Sequence, residues 1–216
     1  VTNVDESPVI SSGGSASVAE NAATDTVVYT AVAADPEGGA VVFSLGGDGD
    51  NALFTIDSSS GEVTLNSSAD FESDASYSIT VIATANGKTD SQVVAVAVTN
   101  VDEAPVIDSG SSATVIENSD VSAVIYTASA VDPEGNAVSY TLSGDDADKF
   151  NLDADSGELT LIAAADAETQ ASYNVTITAS STGSSGSALS SSQALSIAVT
   201  NVDESPVISS GGSASV

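Results

Sequence analysis

Carboxylates recur along this chain in a fixed order. Glu20-Asn21 returns as Glu117-Asn118, Asp35-Pro36-Glu37 as Asp132-Pro133-Glu134, and the pair Asp70 and Glu72 as Asp166 and Glu168. A further acidic pair stands in each Pro-containing connection, at Asp5-Glu6, Asp102-Glu103 and Asp203-Glu204. These acids fall at the ends of strand-like runs and in connections, not on strand faces, and that placement separates ligation from mere solubility. Carboxylate oxygens are hard donors, and the cation they suit best is Ca²⁺, which takes about six to eight oxygens. One short loop cannot easily supply that many, whereas a junction between two domains can, each side and the connection contributing. With no Cys and no His in the chain, thiolate and imidazole metal chemistry is excluded.

The composition points the same way. Among 216 residues, 31 are Asp or Glu and only Lys88 and Lys149 are basic, for a net charge of −29. Such a chain repels nucleic acid and anionic membrane, which need Lys and Arg to meet phosphate. It attracts cations, and its self-repulsion disfavours a compact state unless salt or metal neutralises it. Hydrophobic residues make up 41% and aromatics 4%, so the core must be built from Val, Ile, Leu and Ala. No run of about 20 apolar residues is present, so the segment neither spans nor anchors. With no signal peptide and no initiator Met, it reads as an internal fragment of a longer parent.

The elements that must position the acids are strands, in a unit that repeats. FTIDSSSGEVTL at Phe54–Leu65 matches FNLDADSGELTL at Phe150–Leu161, and ADFESDASYSITVIA at Ala69–Ala83 matches ADAETQASYNVTITA at Ala165–Ala179. The opening eighteen residues recur letter for letter as the last eighteen. A period of about one hundred residues exceeds that of a solenoid and fits bead-like domains. Tyr77, Ile79, Val81 and Ala83 alternate with Ser78, Thr80 and Ile82, and Tyr173, Val175, Ile177 and Ala179 with Asn174, Thr176 and Thr178, which gives one buried and one wet face. Val27, Tyr29, Ala31 and Ala33 read as another such face, Val41, Phe43 and Leu45 as a third, and Val94, Val96 and Val98 as the closing strand. Asp57–Gly61 is a hairpin turn ending on a permissive glycine. About seven strands per unit predict an all-β chain of tandem seven-stranded Greek-key β-sandwiches. The predicted division is a linker at 1–8, a first repeat at 9–100, a linker at 101–105, a second repeat at 106–201, and a linker with the start of a third repeat at 202–216. Thr182–Gln193, Gly- and Ser-rich, reads as a mobile hairpin loop, longer than its counterpart by drift. GGDGDN at Gly46–Asn51 reads as a solvated loop.

The ordered set of Glu-Asn, Asp-x-Glu before a Tyr-led strand, an acidic linker with Pro, Asp-x-acid in the next unit, and the F-x-I-D…G hairpin resembles the cadherin repeat. The family carries PEN, LDRE, DxNDNxP and DxD in that order, and the resemblance covers both full units. It implies that Glu20 and Glu117 stand for the PEN glutamate, and that Asp70 with Glu72, and Asp166 with Glu168, stand for the LDRE acids. Asp102 and Glu103, with Asn100 beside them, stand for the linker acids. Asp132 and Glu134 stand for the DxD pair, with Asn136 a backbone ligand. These would meet at one central junction holding two or three Ca²⁺. Asp5, Glu6, Asp35 and Glu37 would form half a junction at one end, and Glu117, Asp166, Glu168, Asp203 and Glu204 half a junction at the other. The chain departs from the family at Thr99, Val101, Ala85 and Ser181, where the pattern has Asp, Asn, Asp and Asp. It also has no Trp for strand exchange.

The resemblance therefore implies an extracellular, cell-surface stalk segment of a bacterial adhesin, stiffened by Ca²⁺, with neighbouring repeats of the same chain as its partners. No enzyme is expected: paired carboxylates serve glycoside hydrolysis, but these repeat at domain ends and do not converge on one cleft. The alternative is a carbohydrate- or protein-binding module. Sugar sites present exposed aromatics, whereas here every Tyr and Phe except Phe71 lies on a strand position that reads as core.

Overall fold

A computed structural model describes residues 4–206. The expected opening of a third repeat from residue 207, and the first three residues of the expected leading linker, lie outside the described residues. The chain divides into two compact units, Val1–Val101 and Asp102–Val216.

Unit 1 runs β1 (Val9–Ile10), β2 (Ser15–Ala19), β3 (Val27–Thr30), β4 (Ala33–Ala34), β5 (Val42–Leu45), β6 (Phe54–Ile56), β7 (Glu62–Leu65), β8 (Ser76–Ala85) and β9 (Lys88–Thr99). Unit 2 repeats the order as β10 (Val106–Ile107), β11 (Ser112–Ile116), β12 (Tyr126–Thr127), β13 (Ala130–Val131), β14 (Ser139–Ser143), β15 (Phe150–Leu152), β16 (Glu158–Leu161), β17 (Ser172–Thr182) and β18 (Ala188–Thr200). Among the described residues there is no α-helix, only single 3₁₀ turns at Asn51–Leu53 and Ala147–Lys149. In unit 1 a four-stranded sheet, ordered β2-β9-β8-β5, faces a three-stranded one, β3-β7-β6, with β1 and β4 paired apart. Unit 2 has the same arrangement, β11-β18-β17-β14 with β12-β16-β15 and β10-β13. The first run of each unit thus changes partners midway: β1 pairs antiparallel with β4, while β2 lies parallel to β9, Val18 opposite Val98. That break and a second one between β3 and β4 account for more segments than the alternation suggested. Each unit is a β-sandwich.

The alternating residues of the long hairpins form the core. Ile79, Val81, Val94, Val96 and Val63 are fully buried in unit 1, and Ile177, Leu159, Leu195 and Ile197 nearly or fully so in unit 2. Scarce aromatics are placed edge to face, Phe54 with Tyr77 at 5.5 Å and Phe150 with Tyr173 at 5.3 Å between ring centres. Gly61, at φ +74°, closes the β6–β7 turn where a Cβ would lie 2.5 Å from the Ala31 carbonyl oxygen, so only glycine fits.

Three readings of the sequence are corrected. Val27 is exposed and Val28 buried, because a register shift between Val27 and Tyr29 rotates the start of β3. The segment 182–193 is not a loop: β17 and β18 extend through most of it, and only 183–187 turns. Ser191 and Gln193 point back to bond the Pro105 and Ser109 carbonyls. The acidic loop at Gly46–Asn51 is not merely solvated. Asp50 accepts the Ser78 amide at 2.8 Å, and buried Asn51 accepts that of Thr80 at 2.9 Å, so the loop fastens the middle of β8.

The outward faces of the four-stranded sheets carry no charge. On β9 they present Thr89, Ser91, Val93, Ala95, Ala97 and Thr99; on β18 they present Ser190, Ser192, Ala194, Ser196, Ala198 and Thr200. In a chain of net charge −29 the carboxylates have been kept to turns and strand ends.

Candidate metal centres

Each unit gathers its acids at its two ends. The first cluster of unit 1 forms where β2 and β9 finish side by side. The chain turns at Asn21, which has φ +57°, a left-handed conformation that Asn tolerates better than most residues. That turn folds the Glu20 side chain inward until only 3% of the residue is exposed. Its Oε2 accepts the Phe71 amide at 2.8 Å and its Oε1 the Val101 amide at 2.6 Å. One buried carboxylate thereby joins the end of β2, the turn ahead of β8 and the exit of β9. Charge-assisted bonds of this kind offset the desolvation that burial imposes. Asp70 accepts from Ser73 twice, from the amide at 3.1 Å and the hydroxyl at 2.9 Å. Glu72 accepts from the Asn100 side chain at 2.9 Å and brings a carboxylate oxygen within 4.8 Å of Glu20.

Unit 2 builds the same end. Glu117, 2% exposed, accepts from the Ala167 amide at 2.8 Å and from the Val202 amide. Asp166 accepts the Thr169 hydroxyl at 2.9 Å and its amide at 3.0 Å, and these bonds hold its carboxyl below the usual range. Asn201 donates to Glu168. Glu117, Asp166 and Glu168 each offer an oxygen within 4.8 Å of the others. Asp203 is exposed beyond them, and Glu204 accepts from Asn118.

The opposite ends are built on the Asp-Pro-Glu turns. In unit 1, Asp35 is 7% exposed; its Oδ2 accepts the Gly39 amide at 2.6 Å, and its Oδ1 is buried with no hydrogen-bond partner. Asp5, Asp35 and Glu37 place oxygens within 4.8 Å of one another. The carboxyl of Glu6 is pushed above its usual range, first by its hydrogen bond to Glu37 and then by that neighbour's charge. In unit 2, Asp132 is 3% exposed; Oδ1 accepts from the Asn136 amide at 3.0 Å and from its side chain at 2.9 Å, while Oδ2 is buried without a partner. Glu134 Oε1 is likewise unpartnered, and its Oε2 accepts the Glu103 amide at 3.3 Å.

Asp102 is handled differently. Its two oxygens accept the Ser184 and Ser185 amides, each at 3.2 Å, from the β17–β18 turn. Those bonds, the Ser185 amide foremost, hold its carboxyl below the usual range. The sequence reading missed this turn, and also Asn86, which donates to Asp5 at 3.0 Å from the corresponding turn of unit 1. The Asn86-Gly87 dipeptide was the available signal for the latter.

These residues fit a hard divalent cation. A buried carboxylate oxygen with no donor is costly in a folded protein, and it recurs at the equivalent residues Asp35 and Asp132. The surrounding ligand atoms are all oxygen, the set that suits Ca²⁺ or Mg²⁺ and not the softer transition metals.

Comparison with known proteins gives these clusters a context. The cadherin domain model matches residues 14–101 and again 111–200. Human Protocadherin-16 is 31% identical over 189 residues, covering 83% of this chain, and mouse Protocadherin Fat 4 is 30% identical over 176 residues, covering 76%. The chain spans only 6% and 4% of those two proteins. Among solved structures, human Protocadherin-24 EC1-2 superposes with a TM-score of 0.65 at 22% identity, over 90% of this chain and 98% of that one. Mouse Cadherin-23 EC22-24 superposes at 0.57 with 26% identity, over 92% and 68%. No described helix is long and apolar enough to cross a membrane. With a sandwich of the same topology in both units and the family model matched twice in succession, the chain belongs to the cadherin domain family.

Proposed function

We propose that this chain is a Ca²⁺-stiffened spacer within the stalk of a large extracellular adhesin. The acids at the end of unit 1 and at the start of unit 2 together hold the metal. The observation that carries this reading is the orphaned, buried Oδ2 of Asp132, matched by Oδ1 of Asp35. Chain connectivity supports it, since Glu20 is bonded to Val101, the last residue of unit 1, and Glu103, which bonds Glu134 through its amide, follows two residues later. Glu20, Asp70, Glu72, Asp102, Glu103, Asp132 and Glu134 are the ligand candidates, with Asn100 and Asn136 fixing Glu72 and Asp132. Two like charges 4 Å apart repel by about 1 kcal/mol in water and about 4 kcal/mol at the effective dielectric of a protein surface. Bound Ca²⁺ would supply the compensating charge. Extracellular Ca²⁺ modules work at about 10⁻⁴–10⁻³ M, a range that extracellular fluids reach.

The role is mechanical and not catalytic, because the acids repeat at the ends of units and share no cleft. Assignment to a bacterial stalk rests on the residues alone, in particular the lack of a Trp for strand exchange, and the relatives matched are animal proteins. A sugar-binding role is disfavoured by the aromatics, none of which is exposed among the described residues.

Small-angle scattering of the whole chain in millimolar Ca²⁺ and in chelator tests the proposal. A longer, narrower distance distribution with Ca²⁺ is expected; identical profiles, or no Ca²⁺ uptake in a calorimetric titration, would overturn it.

A further inference from the structure

Unit 2 differs from unit 1 most in the turn joining its two longest strands, which is Asn86-Gly87 in one and 183–187 in the other. Both turns reach the same place. Asn86 donates a side-chain hydrogen bond to Asp5, and the Ser184 and Ser185 amides grip Asp102; these aspartates stand at equivalent positions, each three residues before a fully buried proline, Pro8 or Pro105. A one-residue device in unit 1 is replaced in unit 2 by a longer turn that meets its aspartate through two backbone donors. Gly183 makes the fit possible. A Cβ there would lie 2.3 Å from Asp102 Cγ, and its φ is outside the left-handed region, so the glycine is needed for space and not for backbone conformation.

We propose that the β17–β18 turn is a positioning device, in which Ser184 and Ser185 hold the Asp102 carboxylate in the orientation that a divalent cation requires. The inference rests on the Ca²⁺ reading above. A carboxylate has about four lone-pair sites, so two amide bonds and the Ser184 hydroxyl, at 3.3 Å from Oδ1, still leave it able to bind metal. Fixing its rotamer beforehand removes an ordering cost from the binding step. The opposite role, in which the turn competes with metal for the carboxylate, predicts the opposite sign on breaking the contact.

Gly183→Ala separates the two. The three atoms nearest the added methyl all belong to a side chain that can swing aside, so chelated stability should stay within a few degrees of wild type. Amide hydrogen exchange at Ser184 and Ser185, read by NMR in chelator, should speed up about tenfold as the contact opens. Ca²⁺ affinity of the whole chain, read by calorimetry, should weaken about three- to tenfold. Affinity unchanged or tightened while those amides lose protection overturns the positioning role and leaves the Ca²⁺ reading intact. Failure of the wild-type chain to take up Ca²⁺ overturns both.

Discussion

Glu20 Oε1 accepts the Val101 amide hydrogen at 2.6 Å, so a residue near the start of unit 1 is bonded to its last one, 81 positions away. The other oxygen accepts from Phe71. Glu20 is therefore a structural tie before it is a ligand. Glu20→Ala strands two part-buried amides, and at the low end of the about 1–3 kcal/mol that an unsatisfied buried donor costs, the pair is worth about 2 kcal/mol. In chelator, calorimetry should show the unit 1 transition falling by roughly 8–15 °C, at about 4–8 °C per kcal/mol for a domain of this size, with unit 2 unmoved. A shift below a couple of degrees would contradict the tie.

Asp132→Asn should cost more with the metal than without it. Without Ca²⁺, burial penalises the charge, but the hydrogen bonds to the carboxylate, those from Asn136 among them, outweigh it and hold the carboxyl below its usual range, so stability in chelator should fall modestly. With Ca²⁺ a ligand is lost, and a tenfold loss of affinity is about 1.4 kcal/mol of the stabilisation that ligand binding confers. Thermal melts of both proteins in both conditions check the difference; an equal cost with and without Ca²⁺ would argue against ligation by Asp132.

Acid should loosen unit 2 through Asp146. The Asn174 amide at 2.7 Å and the Gln170 side chain at 2.8 Å hold this carboxyl below the usual carboxylate range. A depressed folded-state pKa means that the contribution is present in full above the unfolded value and is lost as pH falls through the folded one. In chelator, urea unfolding between about pH 6 and pH 2.5 should show a shallower acid decline for Asp146→Asn than for wild type, over the range below about pH 4. Equal slopes would remove Asp146 from the account.

Two glycines in left-handed conformations should respond unequally to Ala. At Gly157, φ +73°, a Cβ would sit 2.4 Å from the Ala128 carbonyl oxygen; at Gly186, φ +78°, it would meet nothing within 4 Å. Gly186→Ala should cost about 1 kcal/mol, the conformational penalty alone, and Gly157→Ala roughly 3 kcal/mol or more, because clash is added. Urea midpoints give the comparison directly, and equal costs would mean that the turn yields freely.

The sandwich was legible because period-two burial is a local property: Ile79, Val81 and Ala83 announce their face without reference to anything distant. Val27 misled for the same reason, since a register shift against β7 is set by the partner strand and leaves no mark on the alternation. The acids could be grouped from their order, but their handling could not. Nothing local says that Glu20 spends an oxygen on Val101, or that a Gly-Ser turn more than eighty residues downstream grips Asp102. Those contacts join strand ends across the unit, and length drift in a turn looks the same in sequence whether the turn is idle or occupied.

The uncharged outward faces of β8, β9, β17 and β18 have a bearing on how these sandwiches meet brine. Mobile ions quiet repulsion only where like charges crowd, and here that is at the rims. Raising ionic strength should therefore firm the tips of each unit, slowing proton exchange beside Asn100 and Asn201, while amides at Val81 and Ile177 keep pace with whole-unit opening alone. The same module in dilute serum and in seawater would share one centre and differ in how tightly its margins are closed.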